Sequence, residues 1–169
     1  ELVFNEAGYY KFTPDTFAQQ EFSVNTTSQT NVNDADFSIA MTSGSTGSGL
    51  QYSGDGVGVS GGNGQLLSQG EEITLTFDAT ALPNGVRNLV LTLDDFQSNN
   101  RDQVTVKVTH DSDGDGIPTV STVTLSAANN NNQETLDLSQ FSSVTAIDVA
   151  YTGSGYDTGL YNVSYQPQG

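Results

Sequence analysis

The most distinctive chemical motif in the sequence is Asp111-Ser-Asp113-Gly-Asp115-Gly, in which aspartates alternate with small residues. Ca²⁺ takes about six to eight oxygen ligands, and alternate carboxylates on a short, glycine-bent loop direct several oxygens at one point. An EF-hand would also need a glutamate at the twelfth loop position, where this sequence has Thr122. The motif therefore predicts a calcium loop of another type, and the alternative is a solvated acidic hairpin.

A second candidate site lies in the glycine-rich segment from Gly54 to Gly64 and the acidic residues that follow it. Its glycines could turn backbone carbonyls towards a cation, with Asp55 and Glu71 as side-chain ligands. Glu71 shares the strand parity of Ile73, and an inward charge is costly unless it meets a cation. A phosphate-binding loop is excluded, because a strand follows and the loop has no lysine. The alternative is a loop that shapes one end of the fold.

Asp94 and Asp95 close the strand that contains Leu89, Leu91 and Leu93. By strand parity their carboxylates should point to opposite faces, with Asp95 inward, so they are not expected to act together on one substrate. Each is a candidate metal ligand at the end of the strand, and a simple edge charge is the alternative.

Catalysis is not expected from this sequence. Carboxylates are abundant, but no spacing singles out an acid pair of the kind that glycoside hydrolysis uses. A Ser-His-Asp site would have to use the single histidine, His110, and no Gly-x-Ser-x-Gly elbow is present. The sequence has no cysteine, which excludes thiol catalysis, cysteine-based zinc sites and disulfides.

The charge balance points to cations as partners. The sequence has 20 acidic against 4 basic residues, a formal net charge of -16. Phosphate binding needs a basic patch, so nucleic acid is excluded as a partner, and anionic membrane surfaces are disfavoured. Self-repulsion destabilises a compact chain unless cations offset it. Bound Ca²⁺ would do so, and the alternative is an adaptation for solubility or for high salt.

The elements that must position these residues are β-strands, because apolar residues alternate with period two. The candidate strands contain Ile73–Phe77, Leu89–Leu93 and Val104–Val108, and further ones lie near Phe22–Val24, Thr119–Leu125, Val144–Ala150 and Gly159–Tyr165. Glycine, asparagine and proline clusters between them predict turns. The pattern predicts an antiparallel β-sandwich with long calcium-binding loops, forming a single domain over residues 1–169.

Three irregular segments carry local predictions. A short helix or turn is expected near Pro14–Gln20, and Ser43–Gly49 is expected to be a loop within the domain. The run Asn129–Asn132 is expected to form a hairpin tip. No stretch reaches the roughly 20 apolar residues that span a bilayer. No signal peptide is apparent at the N-terminus, so a mature chain or an excised module is expected.

Three segments carry a family likeness: GDGVGVSGGNGQLLSQGEEITLTF at 54–77, LVLTLDDF at 89–96 and GYDTGLYNVSY at 155–165. Together they resemble a calcium-dependent β-sandwich module of giant bacterial RTX adhesins, in particular the peptide-binding domain of such adhesins. The resemblance implies an extracellular module on the bacterial cell surface that holds several Ca²⁺ ions. It also implies capture of a peptide C-terminus on another cell, helped by a calcium ion at the site.

The loop between Tyr151 and Asp157 suits the rim of such a site. Gly153 and Gly155 expose backbone groups, Asp157 can bind the metal, and Tyr156 can pack on the ligand together with Tyr151. The alternative is a hairpin loop whose tyrosines fill the end of the sandwich. Two other functions remain open, a carbohydrate-binding module and a structural extender domain. The isolated domain is expected to be monomeric and not inserted in a membrane.

Overall fold

The computed structural model describes residues 3–4, 10–12, 31–33, 36–44, 49–60 and 66–169. The described residues form strands and connecting turns without a helix. None of them therefore belongs to a helix with the length and apolar character that a bilayer crossing requires. The helix or turn predicted near Pro14–Gln20 and the strand predicted near Phe22–Val24 lie outside the described residues.

The described chain forms antiparallel strands. In order they are β1 (Val3–Phe4), β2 (Tyr10–Phe12), β3 (Asn31–Asn33), β4 (Phe37–Ser43), β5 (Leu50–Ser53), β6 (Gly56–Val59), β7 (Leu67–Ser68), β8 (Glu72–Phe77), β9 (Val86–Asp94), β10 (Gln103–His110), β11 (Thr119–Ser126), β12 (Glu134–Asp137), β13 (Val144–Tyr151) and β14 (Asp157–Pro167).

The strands form two layers. One layer has the order β3-β4-β8-β13-β10-β11, and the other contains β1-β2-β14-β9-β12. The short strands β6 and β7 also pair with β14, and β5 pairs with β6. The backbone bridge between Val144 and Val86 joins β13 to β9 and so connects the two layers. Among the described residues β11 pairs only with β10, along its whole length.

The core lies between the layers, because each central strand turns alternate apolar side chains inward. On β10 the valines Val104, Val106 and Val108 are fully buried, whereas Lys107 between them is exposed. The leucines of β9 follow the same alternation, as do Ile147 and Val149 of β13. Burial of each large aliphatic side chain contributes about 1.5–3 kcal/mol. The alternation of apolar residues in the sequence therefore predicts which face of each strand is buried.

Three aromatic rings show that the layers pack face to face. Phe37 of β4 and Phe77 of β8 belong to one layer, and both contact Tyr165 of β14 in the other. The ring centroids of Phe77 and Tyr165 lie 5.1 Å apart in an edge-on arrangement that aromatic pairs favour. The Tyr165 hydroxyl donates to Asp36 at 2.9 Å, so the buried ring keeps a polar partner. The predicted antiparallel β-sandwich is confirmed.

Two local predictions were wrong. The glycine-rich segment after Gly54 is not only a loop, because β6 lies within it and Val57 and Val59 are fully buried. The run Asn129–Asn132 is not a hairpin tip, because β11 and β12 do not pair with each other. It crosses from one layer of the sandwich to the other, and it packs there against the loop that follows β9.

Leu91→Ala should lower the free energy of unfolding by about 2–5 kcal/mol, because it removes a fully buried side chain at the centre of β9 and leaves a cavity. Thr122→Ala on the exposed face of β11 is the control and should change that free energy by less than about 0.5 kcal/mol. Denaturant unfolding measures both variants. Equal effects of the two substitutions would contradict the layer assignment.

Candidate metal centres

The candidate ligands are gathered at the two opposite ends of the sandwich. The DSDGDG loop (residues 111–116) follows the end of β10, beside the start of β13. Asp157 and Asp95 lie at the other end, where β14 begins and β9 finishes. The eight residues of β10 separate the two ends by roughly 27 Å. Any cations held at the two ends would therefore be bound independently.

The DSDGDG loop has the geometry of a cation loop. One carboxylate oxygen from each of Asp111, Asp113 and Asp115 lies within 4.8 Å of the others. The bend is tight because Gly114 and Gly116 adopt left-handed φ angles of 71° and 81°, which side chains other than glycine rarely adopt. Exposed acidic side chains thus converge on one point, and this loop can hold a metal ion.

Backbone N–H groups donate to one oxygen of each of the three carboxylates and leave a buried oxygen of Asp111 without a donor among the described residues. The Gly116 N–H donates to Asp111 Oδ2 at 3.0 Å, and the Asp115 N–H donates to Asp113 Oδ1 at 3.2 Å. The bonds from Asp115 and Asp111 hold the pKa of Asp113 below its usual range. Asp111 Oδ1 is buried and has no donor among the described residues. Such an oxygen is stabilised by a positive ion.

The carboxylate cluster at the opposite end consists of Asp55, Glu71, Asp95 and Asp157. Asp55 lies in the turn between β5 and β6, and Glu71 immediately precedes β8. Asp157 begins β14 and pairs there with Ser68 of β7. Connections from four separate parts of the chain thus place carboxylates at one end of the core. Sequence reasoning identified each of these acids but could not show that they lie at the same end. Among the described residues, three carboxylate oxygens converge within 4.8 Å only in the DSDGDG loop, so this cluster is more widely spaced.

Asp95 and Asp157 influence each other's protonation. A hydrogen bond between their carboxyl groups contributes to the pKa shift of each, and such a bond requires that one of them carry a proton when no cation is bound. Burial, together with the contact with Asp157, raises the pKa of Asp95 to about 6. Burial also raises the pKa of Asp157, and the charges of Asp102, Asp55 and Glu71 add to the rise, although the bond with Asp95 opposes it. A divalent cation could replace the shared proton.

Glu71 supplies a buried oxygen to this cluster. The side chain is 4% exposed, and both the N–H and the hydroxyl of Ser68 donate to Oε1 at 2.7 Å. Oε2 is buried and receives no hydrogen bond from the described residues. Burial raises the pKa of Glu71, and the bonds from Ser68 lower it in part. An oriented carboxylate with one oxygen lacking a donor fits a cation ligand.

Asp55 is the fourth acid of the cluster and interacts with the other acids through its charge. It is half-buried, and burial raises its pKa, followed by the negative charges of Asp94 and Asp95. The charges of Asp94 and Asp95 therefore both act on Asp55. Asp95 leaves the strand with a left-handed φ of 54°, so strand parity no longer determines its direction.

Asp94, also an expected ligand, already has several hydrogen-bond donors. It is 5% exposed, and its carboxylate accepts from the side-chain amides of Asn132 and Gln133 and from the Asp95 N–H. The strand end thus buries Asp94, whereas Asp95, which was expected inward, is half-buried. Both oxygens of Asp94 are occupied by neutral donors, unlike Oε2 of Glu71.

The expected ligand loop between β13 and β14 packs tightly against residues 100–103. A Cβ atom at Gly155 would overlap the Asn100 carbonyl oxygen, and one at Gly153 would crowd the Arg101 carbonyl oxygen. The glycines therefore allow a close backbone approach. The expectation that both expose backbone was wrong for Gly153, which is buried and donates its N–H to the Gln103 carbonyl at 3.1 Å, and Gly155 is half-buried. Tyr156 is 66% exposed at the tip and is free to contact a ligand.

Tyr151 occupies a supporting position instead of the expected one on the rim. It is 2% exposed, and its hydroxyl donates to Asp102 Oδ1. Burial and this bond raise the pKa of Tyr151. Asp102, which sequence reasoning missed, is 1% exposed and also accepts from the Gln97 N–H at 2.9 Å. Its inward parity with Val104 was the signal that could have found it.

His110 belongs to the hairpin that carries the DSDGDG loop. The side chain is 8% exposed, and its ring centroid lies 4.6 Å from that of Phe141, with the two rings tilted by 38°. Its two ring nitrogens lie 2.9 Å from the Ser121 hydroxyl and 2.8 Å from the Ser112 hydroxyl. These contacts give the histidine a packing role at the base of the loop.

The chain matches no protein-family model, and no curated protein matches its sequence. Function must therefore be argued from the sites themselves.

In the presence of a chelator, the melting temperature should fall as the pH rises from about 4.5 to about 7. The Asp95 carboxyl has a pKa of about 6 in the folded protein against an ordinary value of 3.8. The folded state therefore keeps a proton that the unfolded chain has released, and each rise in pH across this window favours unfolding. Thermal unfolding followed by circular dichroism measures the effect.

Asp95→Asn should flatten this pH dependence, and saturating Ca²⁺ should do the same in the unmodified protein because the cation replaces the proton. A melting temperature that rises across the window in the chelated protein would contradict the assignment of the contact between Asp95 and Asp157.

Asp113→Ala should reduce the gain in melting temperature that Ca²⁺ produces. At ~10 mM Ca²⁺, an extracellular-type site with a Kd of about 10⁻⁴–10⁻³ M contributes roughly 1.4–2.7 kcal/mol, or about 3–10 °C. Asp137→Ala is the matched control, because each substitution removes one exposed charge and one turn hydrogen bond to the residue two positions on. Melting curves with Ca²⁺ and with EGTA would show a calcium-specific loss in the first variant alone. Identical losses in both media would identify the loop as a solvated hairpin.

Proposed function

We propose that the chain is a calcium-dependent ligand-binding module of a bacterial surface adhesin, with the carboxylate cluster and the loop that carries Tyr156 as its ligand site. The observation that carries this proposal is the arrangement of Asp95, Asp157 and Glu71. The carboxyls of Asp95 and Asp157 interact, which contributes to the raised pKa of Asp95, and Glu71 presents a buried oxygen without a donor among the described residues. Such a group of acids is stable only when a proton or a cation balances it.

The chemistry of the donors favours Ca²⁺ over a transition metal. The cluster offers carboxylate oxygens, and hard cations such as Ca²⁺ prefer oxygen ligands. Zinc and copper sites draw on cysteine or histidine, and the sequence has no cysteine and a single histidine at the other end of the sandwich. When bound, Ca²⁺ supplies local positive charge to an otherwise strongly negative surface.

The proposed ligand carries a free carboxylate. An anion is repelled by a chain with a net charge of -16 unless a cation reverses the field at the point of contact. The neighbouring loop exposes Ser154 and Tyr156, which offer backbone groups and an aromatic ring to a ligand. Backbone groups of this kind bind the C-termini of peptides in other recognition systems. A peptide C-terminus on a partner cell is therefore the proposed ligand.

The DSDGDG loop takes a separate role in this proposal. It lies at the opposite end of the sandwich and contacts the start of β13 through the bond from the Asp111 N–H to the Ser143 carbonyl. A cation there would hold the β10–β11 hairpin against the connection between β12 and β13, and it would not contact the ligand. The proposal thus assigns one end to capture and the other to stability.

The adhesin context follows from the resemblance of residues 54–96 and 151–165 to modules of RTX adhesins. It supports an extracellular location, binding in place of catalysis, and a module that acts as a monomer. A carbohydrate-binding module and a structural extender are the rival functions, and the following experiment separates them.

Amidating the C-terminus of a bound peptide should lower its affinity at least tenfold, about 1.4 kcal/mol, because amidation removes the charge that a cation attracts. The probes are peptides selected on an array with free C-termini in Ca²⁺. Isothermal titration with each acid and its amide measures the loss. Chelation should abolish binding of the acid form.

Asp157→Asn should weaken binding of the acid peptide while the fold stays intact, and it should raise the melting temperature in chelator at neutral pH because it removes the charge that repels Asp95. The control is Asp137→Asn, which removes one charge on β12 far from the loop and can keep the bond from Ser139. Equal binding of acid and amide peptides would overturn the carboxylate mechanism. Competition by a soluble saccharide without any peptide binding would move the function to the carbohydrate rival, and binding of neither probe would favour the extender.

A further inference from the structure

We infer that Asn132 and Gln133 are positioning residues for the carboxylate cluster, and that they act through Asp94, which is an anchor and not a metal ligand. The inference rests on the proposed cation at that cluster. It gives a function to the end of the asparagine run, which otherwise connects two strands in different layers.

Asn132, the last residue of the asparagine run, and Gln133 after it both contact Asp94. Asn132 donates from Nδ2 to Asp94 Oδ1 at 2.9 Å, and Gln133 donates from Nε2 to Asp94 Oδ2 at 3.1 Å. Asp94 is 5% exposed, so these amides replace water as its donors. A buried carboxylate with neutral donors on both oxygens is satisfied without a cation. Asp94 is thereby separated chemically from the neighbouring acids.

Asp94 in turn contacts the backbone beside two acids of the cluster. Asp94 Oδ1 accepts from the Asp95 N–H at 2.8 Å, and Asp95 has the left-handed φ of 54°. This bond holds Asp95 in an uncommon backbone conformation at the end of β9, beside the start of β14 where Asp157 lies. The Asp94 carbonyl also accepts from the buried Thr158 hydroxyl at 2.8 Å, one residue beyond Asp157. One residue thus fixes the backbone beside both contacting acids.

Asn132 also contacts the segment that follows Asp95. The Phe96 N–H donates to the Asn132 carbonyl at 2.9 Å, and the Gln97 side-chain amide donates to Asn132 Oδ1 at 2.7 Å. Asn132 itself has a left-handed φ of 76°, which asparagine tolerates better than most residues. Its side chain therefore bridges Asp94 and Gln97, and its backbone holds Phe96.

The type of donor is informative. A lysine or arginine at position 132 would pair with Asp94 but would also place a positive charge beside the cluster, in competition with a divalent cation. Side-chain amides orient the carboxylate without that charge. Outer residues that orient metal ligands typically change metal affinity by about 10–100-fold when they are removed.

The test measures Ca²⁺ affinity at this cluster alone. It uses the full chain with Asp113→Ala and Asp115→Ala, which remove the DSDGDG site, as the background. Isothermal titration with Ca²⁺ should show at least a roughly tenfold weaker Kd after Asn132→Gly. Glycine accepts the left-handed backbone, so only the amide is lost. Asn131→Gly, at an exposed neighbouring position, is the matched control and should retain the background affinity.

A second variant tests the inference even if Asn132→Gly fails to fold. Gln133→Ala removes the other amide from an exposed residue and should also weaken Ca²⁺ binding severalfold. Melting in EGTA separates positioning from a merely structural role, which would lower the melting temperature in chelator without changing the Kd.

The inference is overturned if Asn132→Gly binds Ca²⁺ as tightly as Asn131→Gly, or if both bind equally weakly. If the background protein binds no Ca²⁺ with Asn132 intact, the proposed function fails, and the inference fails with it. Ca²⁺ binding that is lost with Asp157→Asn but unchanged by both amide variants leaves the proposed function standing and rejects the positioning role alone.

Discussion

The structure depends on keeping carboxylates close together at the edge of an apolar core. The chain has no disulfide to stabilise it, and one end of the sandwich gathers four acids, of which Asp157 contributes to raising the pKa of Asp95. Repulsion and loss of hydration oppose this arrangement. Hydrogen bonds from Ser68 to Glu71 and from two amides to Asp94 orient individual acids, but they do not supply positive charge. A proton or a cation must do so.

The sandwich makes this arrangement possible because its layers present strand ends side by side. β9 and β14 are paired antiparallel, so the end of one lies beside the start of the other. The connection after β13 then crosses over the same end, held by Tyr151 and Asp102 beneath it. The buried core fixes the strands, and the strands fix the acids within reach of one another.

Much of the fold could be predicted from the sequence, because inward residues such as Val104, Val106 and Val108 follow a local period. The same parity would have placed Tyr151 inside. The grouping of the acids could not be predicted in this way. Asp95 departs from strand geometry, and Asp94 is held by Asn132 across 38 positions in sequence. Such distant partners are determined by tertiary packing and leave no periodic signal.

The course of β14 has a mechanical consequence. The strand starts at the carboxylate cluster and runs to the end of the sandwich that carries the DSDGDG loop, with β9 along one side and β7, β6 and β2 along the other. A pull applied at Asp157, with the opposite end held, would act along the strand axis. The hydrogen bonds on both sides would then bear the load together in shear, and they would not open one after another like a zipper.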